Sequence, residues 1–256
     1  MQGGWRQHGD APSDVVVLHG GPGGAGEVAP LASGLARRGY RVLEPFQTRH
    51  SVREQVEELA AQITAAGRPP VAIVGWSWGA WLGCLLAARH ERLVRTLVLV
   101  GSGPFESHHA ERIEDTKAAR LTAAESAELR RLDPRRGDAA EVARFIEISD
   151  RADTYARDAS PQPEVTFDAA IHTAVWSEAD AMRRSGALLE EVGTIRCPVV
   201  VLHGDHDPRP AEGVHEPLGS VLPTARFVLL DRCGHKPWQE RYARAAFYAA
   251  LNDAIG

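Results

Sequence analysis

Val71–Gly79 reads VAIVGWSWG, a run of small and β-branched apolar residues that breaks into one serine held between two tryptophans and two glycines. A continuous apolar run fits a strand buried on both faces of a parallel sheet, not a strand with one wet face. The residues that follow, AWLGCLLAARH, predict a helix from Gly79 to about His90. A strand that turns directly into a helix at Gly-x-Ser-x-Gly puts Ser77 at the tip of a sharp, strained turn. A side chain at position 75 or 79 would collide with neighbouring backbone there, so glycine closes both ends. The helix starting behind the serine favours negative charge at that point. The same letters also describe a glycine-rich turn with an incidental serine, in a chain of 24 glycines.

The flanking sequence repeats the strand signal. Similar runs are VVVLH from Val15, RVLE from Arg41, TLVLV from Thr96, VVVLH from Val199 and RFVLL from Arg226. Helical patterns fall between them. Val52, Val56, Leu59 and Ile63 share one face, Ser51 and Glu54 form a capping box at its start, and Gly67 stops it. Another helix runs from about Val28 to Gly39. This alternation predicts an α/β fold with a mostly parallel, doubly wound sheet and helices on both faces.

The alternation stops between Pro104 and about Val192, a stretch of nearly ninety residues without a convincing strand. Helix starts are expected at Thr122, with Glu125 three residues on, and at Asp138, with Glu141 three residues on. RDASPQPEV reads as a loop and SEADAMRRSGALLEEV as a final helix. The division expected is a core made of 1–103 and 193–256 with a helical insertion at 104–192.

Bulk composition narrows the function. The chain has 256 residues, 44% hydrophobic and 25% charged, enough for one large α/β domain or two small ones. A formal charge of −5 gives no reason to expect nucleic acid or an anionic membrane as partner. The three cysteines show no paired spacing, so neither a disulfide framework nor a zinc knuckle is implied. MQGGWRQHGD lacks the apolar centre of a signal peptide, and no apolar run approaches the roughly 20 residues that span a bilayer. A soluble cytoplasmic protein is expected.

A serine hydroxyl needs a base. Of eleven histidines, His8, His50, His90, His108, His109, His172 and His215 read as loop or helix-surface residues. His19 and His203 end strands, in HGGPG and HGDHD, where holding a loop is their expected role. His235 stands apart in DRCGHKPWQE, beyond the last strand and before the last helix. Loops at the carboxyl ends of parallel strands converge on one crevice, and Ser77 and His235 both occupy such loops. The base needs a carboxylate to fix its tautomer. GDHDP offers Asp205 and Asp207; Asp207, further from its strand, is better able to lean across, while Asp205 caps the turn as readily. Backbone N–H groups of Gly21, in HGGPGG, and of Trp78, directly after the serine, are the candidate oxyanion donors. No lysine follows the glycines of HGGPGG, which argues against a phosphate loop. His203, Asp205, His206 and Asp207 are metal-ligand types without a second cluster, so no metal or other cofactor is expected. Trp76, Trp176 and Trp238 are candidate pocket walls, with core packing an equal alternative.

HGGPG, GWSWGA, HGDHDP and CGHKPWQE, in this order and spacing over most of the chain, resemble the α/β-hydrolase superfamily. HGGPG and the Trp after the serine look like the proline iminopeptidase branch; relatives include carboxylesterases, lactonases, cofactor-free perhydrolases and C–C bond hydrolases. The resemblance implies Ser77 as nucleophile, His235 as base, Asp207 as its acid, and the 104–192 insertion as a helical cap. It implies a small-molecule ester or amide as substrate. Only MQGGWRQHGDAPSD precedes the first clear strand, so the two initial antiparallel strands of the family are expected to be trimmed or missing, leaving about six. Iminopeptidases hold the substrate amine with cap carboxylates. Glu111, Glu114, Glu141, Glu147 and Glu178 are the acids available here, and nothing in the sequence selects one.

Overall fold

The computed structural model describes residues 4–12, 14–132, 139–158 and 164–256. The chain begins with β1 (Trp5–His8), β2 (Asp14–Leu18), the two-residue β3 (Gly24–Ala25) and α1 (Ala29–Ala36). It continues with β4 (Arg41–Pro45), α2 (Val52–Ala66), β5 (Val71–Trp76), α3 (Trp78–Arg89) and β6 (Val94–Val100). The insertion carries α4 (Ser107–Ala110), α5 (Arg112–Arg120), α6 (Ala123–Leu129), α7 (Ala139–Asp153), the two-residue β7 (Thr166–Phe167), α8 (Ala169–Ser185) and α9 (Ala187–Val192). The chain closes with β8 (Val199–Gly204), α10 (Glu212–Val221), β9 (Arg226–Leu230) and α11 (Arg244–Ile255).

Among the described residues seven strands form the main sheet, in the order β1-β4-β2-β5-β6-β8-β9. Every pairing is parallel except β1 with β4. The continuous apolar runs follow from burial on both faces. Val16 and Leu18 of β2 and Ile73 of β5 point into the layer shared with α2 and α3. Their neighbours Val15, Val17, Ala72 and Val74 point into the layer shared with α1 and α11. A polar residue in place of Val15, Val16, Val17, Leu18, Ile73 or Val74 would forfeit roughly 1.5–3 kcal/mol of side-chain burial.

The expected count of about six strands is corrected by β1, an antiparallel edge strand. Its residues, Trp5-Arg6-Gln7-His8, contain no apolar run because an edge strand is half wet. Polar side chains add to its backbone pairing with β4 and to the packing of Trp5 on the core: His8 Nε2 lies 2.8 Å and Arg6 Nη1 3.5 Å from Oε2 of the buried Glu44. His8 is thus a strand residue, not a loop residue. The cap at Thr122 forms, with the reciprocal bonds of a capping box to Glu125, and Ser51 Oγ accepts the Glu54 N–H. The helix after Val28 ends at Ala36, earlier than Gly39. The expected last helix of the insertion is two, α8 starting earlier at Ala169 and α9 separated from it by Gly186. The expected cap at Asp138 and residues 159–163 of the expected loop lie outside the described residues. No helix among the described residues is long and apolar enough to cross a membrane.

Candidate active site

Ser77 sits between β5 and α3 with φ 55° and ψ −118°, a left-handed conformation outside the wells favoured by a side-chain-bearing residue. The turn is held by the Ser77 N–H on the carbonyl of Val100 and by the Ala80 N–H on the carbonyl of Ser77, both at 3.0 Å. The flanking glycines are required by close approach. A Cβ at position 75 would lie 2.2 Å from the Gly79 carbonyl oxygen, and one at position 79 would lie 2.5 Å from that of Leu18. The loop after β2 passes just as close, since a Cβ at Gly20 would lie 2.6 Å from the Trp76 ring and 3.1 Å from the Ser77 Cβ. Gly21 follows in that loop. Trp78 opens α3, so its N–H has no partner from within the helix.

The two aspartates of GDHDP separate cleanly. Asp205 holds the turn before His235, accepting the N–H groups of Arg232 at 3.1 Å and Cys233 at 3.0 Å. Asp207 Oδ2 lies 2.7 Å from His235 Nδ1, and its Oδ1 accepts the Arg209 N–H at 3.0 Å. A carboxylate only accepts, so Nδ1 of His235 carries the hydrogen and the neutral ring leaves Nε2 as a base. Burial, and next the Arg209 guanidinium nearby, push His235 below its ordinary value, against the pull of Asp207. Burial works to raise the Asp207 carboxyl, but His235, its hydrogen bond, His203 and Arg209 together hold it well below the carboxylate range. His19 and His203 hold loops, donating to the carbonyls of Gly20 at 2.8 Å and Arg209 at 2.7 Å.

The loop that carries His235 is fastened on three sides. Its own N–H donates to the Asp153 carbonyl at the end of α7, at 2.8 Å. The Trp76 indole N–H donates to the His235 carbonyl at 2.9 Å. The buried Glu240 carboxylate accepts the N–H groups of Gly234 at 2.8 Å, Tyr155 at 2.9 Å and Ala156 at 2.7 Å. Trp76 therefore does more than fill space.

Ser77 and His235 line one cavity of about 280 Å³, together with Gly21, Trp76, Trp78 and Trp176. A second cavity of about 240 Å³ adjoins it, and Ser77, Trp78, Lys117, Trp176 and Arg209 line both. Trp176, 37% exposed on α8, stacks on Trp81 with ring centroids 5.8 Å apart. Trp238 packs edge-on behind Trp76 at 5.3 Å, is buried, and is not among the lining of either cavity. A larger cleft of about 740 Å³, walled by Ala25, Phe46 and Ile171, includes neither Ser77 nor His235.

Several polar residues of the cavity were not singled out by the sequence. His172 on α8 lines it, not a solvated helix face, and Nδ1 donates toward the Pro22 carbonyl at 3.3 Å. Lys117 from α5, Asp150 and Asp153 from α7, and Glu27, Arg209 and Lys236 also line it. Asp150 and Asp153 are three apart and so share a face of α7, a signal readable in advance had the partner of that face been known. Of the insertion acids named above, Glu114 lines the second cavity, Glu178 accepts the Val52 N–H at 2.7 Å, and Glu147 pairs with Arg144 and Arg151. Glu111 and Glu141 are exposed. His109, expected on a surface, is buried. Among the described residues, metal-ligand side chains converge at Glu106, His108 and His109, not in the 203–207 loop.

The family model for the α/β hydrolase fold matches residues 46–238. The pimeloyl-[acyl-carrier protein] methyl ester esterase of Aromatoleum aromaticum (strain DSM 19018 / LMG 30748 / EbN1) is 28% identical over 239 residues, covering 88% of this chain and 92% of that protein. Among solved structures, VinJ superposes with a TM-score of 0.70 at 20% identity, covering 98% of this chain and 93% of its own. The enol-lactonase from Burkholderia xenovorans LB400 has a TM-score of 0.65 at 22% identity, over 98% of this chain and 95% of its own. With the family model spanning most of its length and a sheet, turn and crevice of that architecture, this chain belongs to the α/β-hydrolase fold family and is a hydrolase.

Proposed function

We propose that the chain is a serine hydrolase that cleaves a small ester, or an amide, through an acyl-enzyme on Ser77. The observation that carries this reading is a strained Ser77 sharing a cavity with His235, whose Nδ1 is bound by the buried Asp207. His235, neutral because burial and Arg209 lower its pKa, takes the serine proton as Ser77 attacks the carbonyl. Asp207 orients the ring and balances the imidazolium. The N–H groups of Gly21 and Trp78 receive the oxyanion, each contributing roughly 3–4 kcal/mol to the transition state. His235 returns the proton to the leaving group, and water activated by the same ring releases the acid.

In this reading the core is 1–103 with 193–256, and 104–192 caps the site. Its support is that Lys117, Phe145 and Trp176, from α5, α7 and α8, reach the cavity. The three free cysteines, two of them buried, fit the reducing cytoplasm that we infer for it.

Carboxylates in the cavity would suit the amine of an iminopeptidase substrate. Here, however, Lys236 Nζ already stands 3.1 Å from Asp150 and 3.9 Å from Glu27, and Arg157 also pairs with Asp150. That occupation favours the ester. Turnover of short p-nitrophenyl esters, lactones and prolyl-p-nitroanilide by the parent and by Ser77→Ala tests the reading. Ester hydrolysis abolished by Ser77→Ala supports it. Prolyl release outpacing every ester would move the protein to the iminopeptidase branch, and tight ligand binding without any turnover would make it a receptor.

A further inference from the structure

We propose that Lys117 and Arg209 form an anion subsite beside Ser77, and that the preferred substrate is an ester whose acyl chain carries a second, free carboxylate. The inference rests on Ser77 being the nucleophile of the proposed function. It goes further in naming the chemistry of the chain that Ser77 acylates.

Position is the first ground. The two adjoining cavities meet at a short boundary, and Lys117 and Arg209 belong to that boundary together with Ser77, Trp78 and Trp176. Lys117 and Arg209 thus border both spaces open to an acyl group bonded to Ser77.

Charge is the second ground. Lys117 Nζ lies 3.3 Å and Arg209 Nη1 2.8 Å from the same oxygen, Asp153 Oδ1. One carboxylate oxygen therefore serves two cations, the buried Lys117 and the half-buried Arg209. The next carboxylate within reach of Arg209 is Asp207 at 3.6 Å, and it is committed to His235 at 2.7 Å. Once His235 becomes imidazolium during turnover, Asp207 offsets that charge and has none to spare for Arg209. The other acids of the cavity are already matched, Glu27 and Asp150 by Lys236 and Arg157.

Desolvation is the third. Lys117 is buried, and burial together with repulsion from Arg209 lowers its pKa. Lys117 shares its ion-pair partner Asp153 with Arg209, with Glu114 the further carboxylate that attracts it, and a substrate carboxylate would add a direct partner and relieve the repulsion at once. Charge-assisted hydrogen bonds of this kind are the stronger class. Trp81 and Trp176 offer apolar surface for the intervening methylenes.

The test compares esters of one shape that differ in charge. Mono-p-nitrophenyl glutarate and adipate are set against p-nitrophenyl 5-methylhexanoate and 6-methylheptanoate, in which an isopropyl group replaces the carboxylate. The parent enzyme is expected to favour the charged member by about tenfold or more in kcat/KM, the size of one charge-assisted hydrogen bond. Lys117→Met should collapse that ratio, and Lys117→Arg, which keeps the charge, should retain it. A parent ratio near one, or a ratio unchanged in Lys117→Met, overturns the subsite; the parent ratio needs no variant to fold. Loss of all turnover in Ser77→Ala is read separately and bears on the nucleophile alone. Calorimetric titration of Ser77→Ala with monomethyl adipate reads the subsite without turnover. Binding weakened about tenfold by adding Lys117→Met supports it, and equal or undetectable binding in both proteins contradicts it.

Discussion

His235 Nδ1 and Asp207 Oδ2 stand 2.7 Å apart with both side chains buried, while Asp205, two residues away in the same loop, holds only backbone. The two aspartates are thus separable by experiment. Asp207→Asn replaces a pure acceptor by a group that can present a donor to Nδ1, which favours the wrong tautomer. Its kcat on a short nitrophenyl ester is expected to fall by about 10³–10⁴. Asp205→Asn is expected to act mainly on stability, by about 1–3 kcal/mol in thermal unfolding. A larger loss of kcat in Asp205→Asn would reverse the assignment.

The pH profile follows from the same ring. Burial first, and Arg209 second, lower the His235 pKa below 6.5. The base works only when neutral, so activity is lost as pH falls through that lowered pKa. The acid limb of kcat/KM should therefore lie below pH 6.5. Arg209→Gln removes a positive charge that opposes protonation, so the limb should move to higher pH whatever happens to the absolute rate. A limb above 6.5 in the parent, or a downward move in the variant, contradicts this account.

Glu240 ties the His235 loop to the residues that follow α7. It accepts from Gly234, Tyr155 and Ala156 with two oxygens. In Glu240→Gln the amide nitrogen must face at least one of these N–H donors. The expected cost is about 1.5–3 kcal/mol in unfolding, with kcat reduced more than KM because the base loses its fixed position. Unchanged stability and kcat would show the loop to be held elsewhere.

The residues legible in advance were those whose role is written in their local sequence. VAIVGWSWG states its strand, its turn and its need for glycine within nine residues, and Ser77 has the conformation that sequence demands. Asp207 and His235 could be singled out in advance because loops at strand ends must converge, and their side chains do meet. Lys117, Asp153 and His172 were not, because what each faces depends on how α5, α7 and α8 lie over the sheet. Helix periodicity says that a face exists and is silent on what it meets. The edge strand β1 was hidden for a similar reason, since its partner Glu44 is a single charged residue far along the chain. Trp76 and Trp238 were alike as sequence. The structure gives Trp76 a hydrogen bond to the His235 loop and a place in the cavity wall, and puts Trp238 behind it.

The central claim is that Ser77 is the nucleophile, and covalent capture tests it most directly. Intact-mass analysis after treatment with a fluorophosphonate should show one adduct, and peptide mapping should put it on Ser77. Ser77→Ala should remain unlabelled, and Asp207→Asn should label far more slowly. Equal labelling of Ser77→Ala, or an adduct mapped to another residue, would contradict the account.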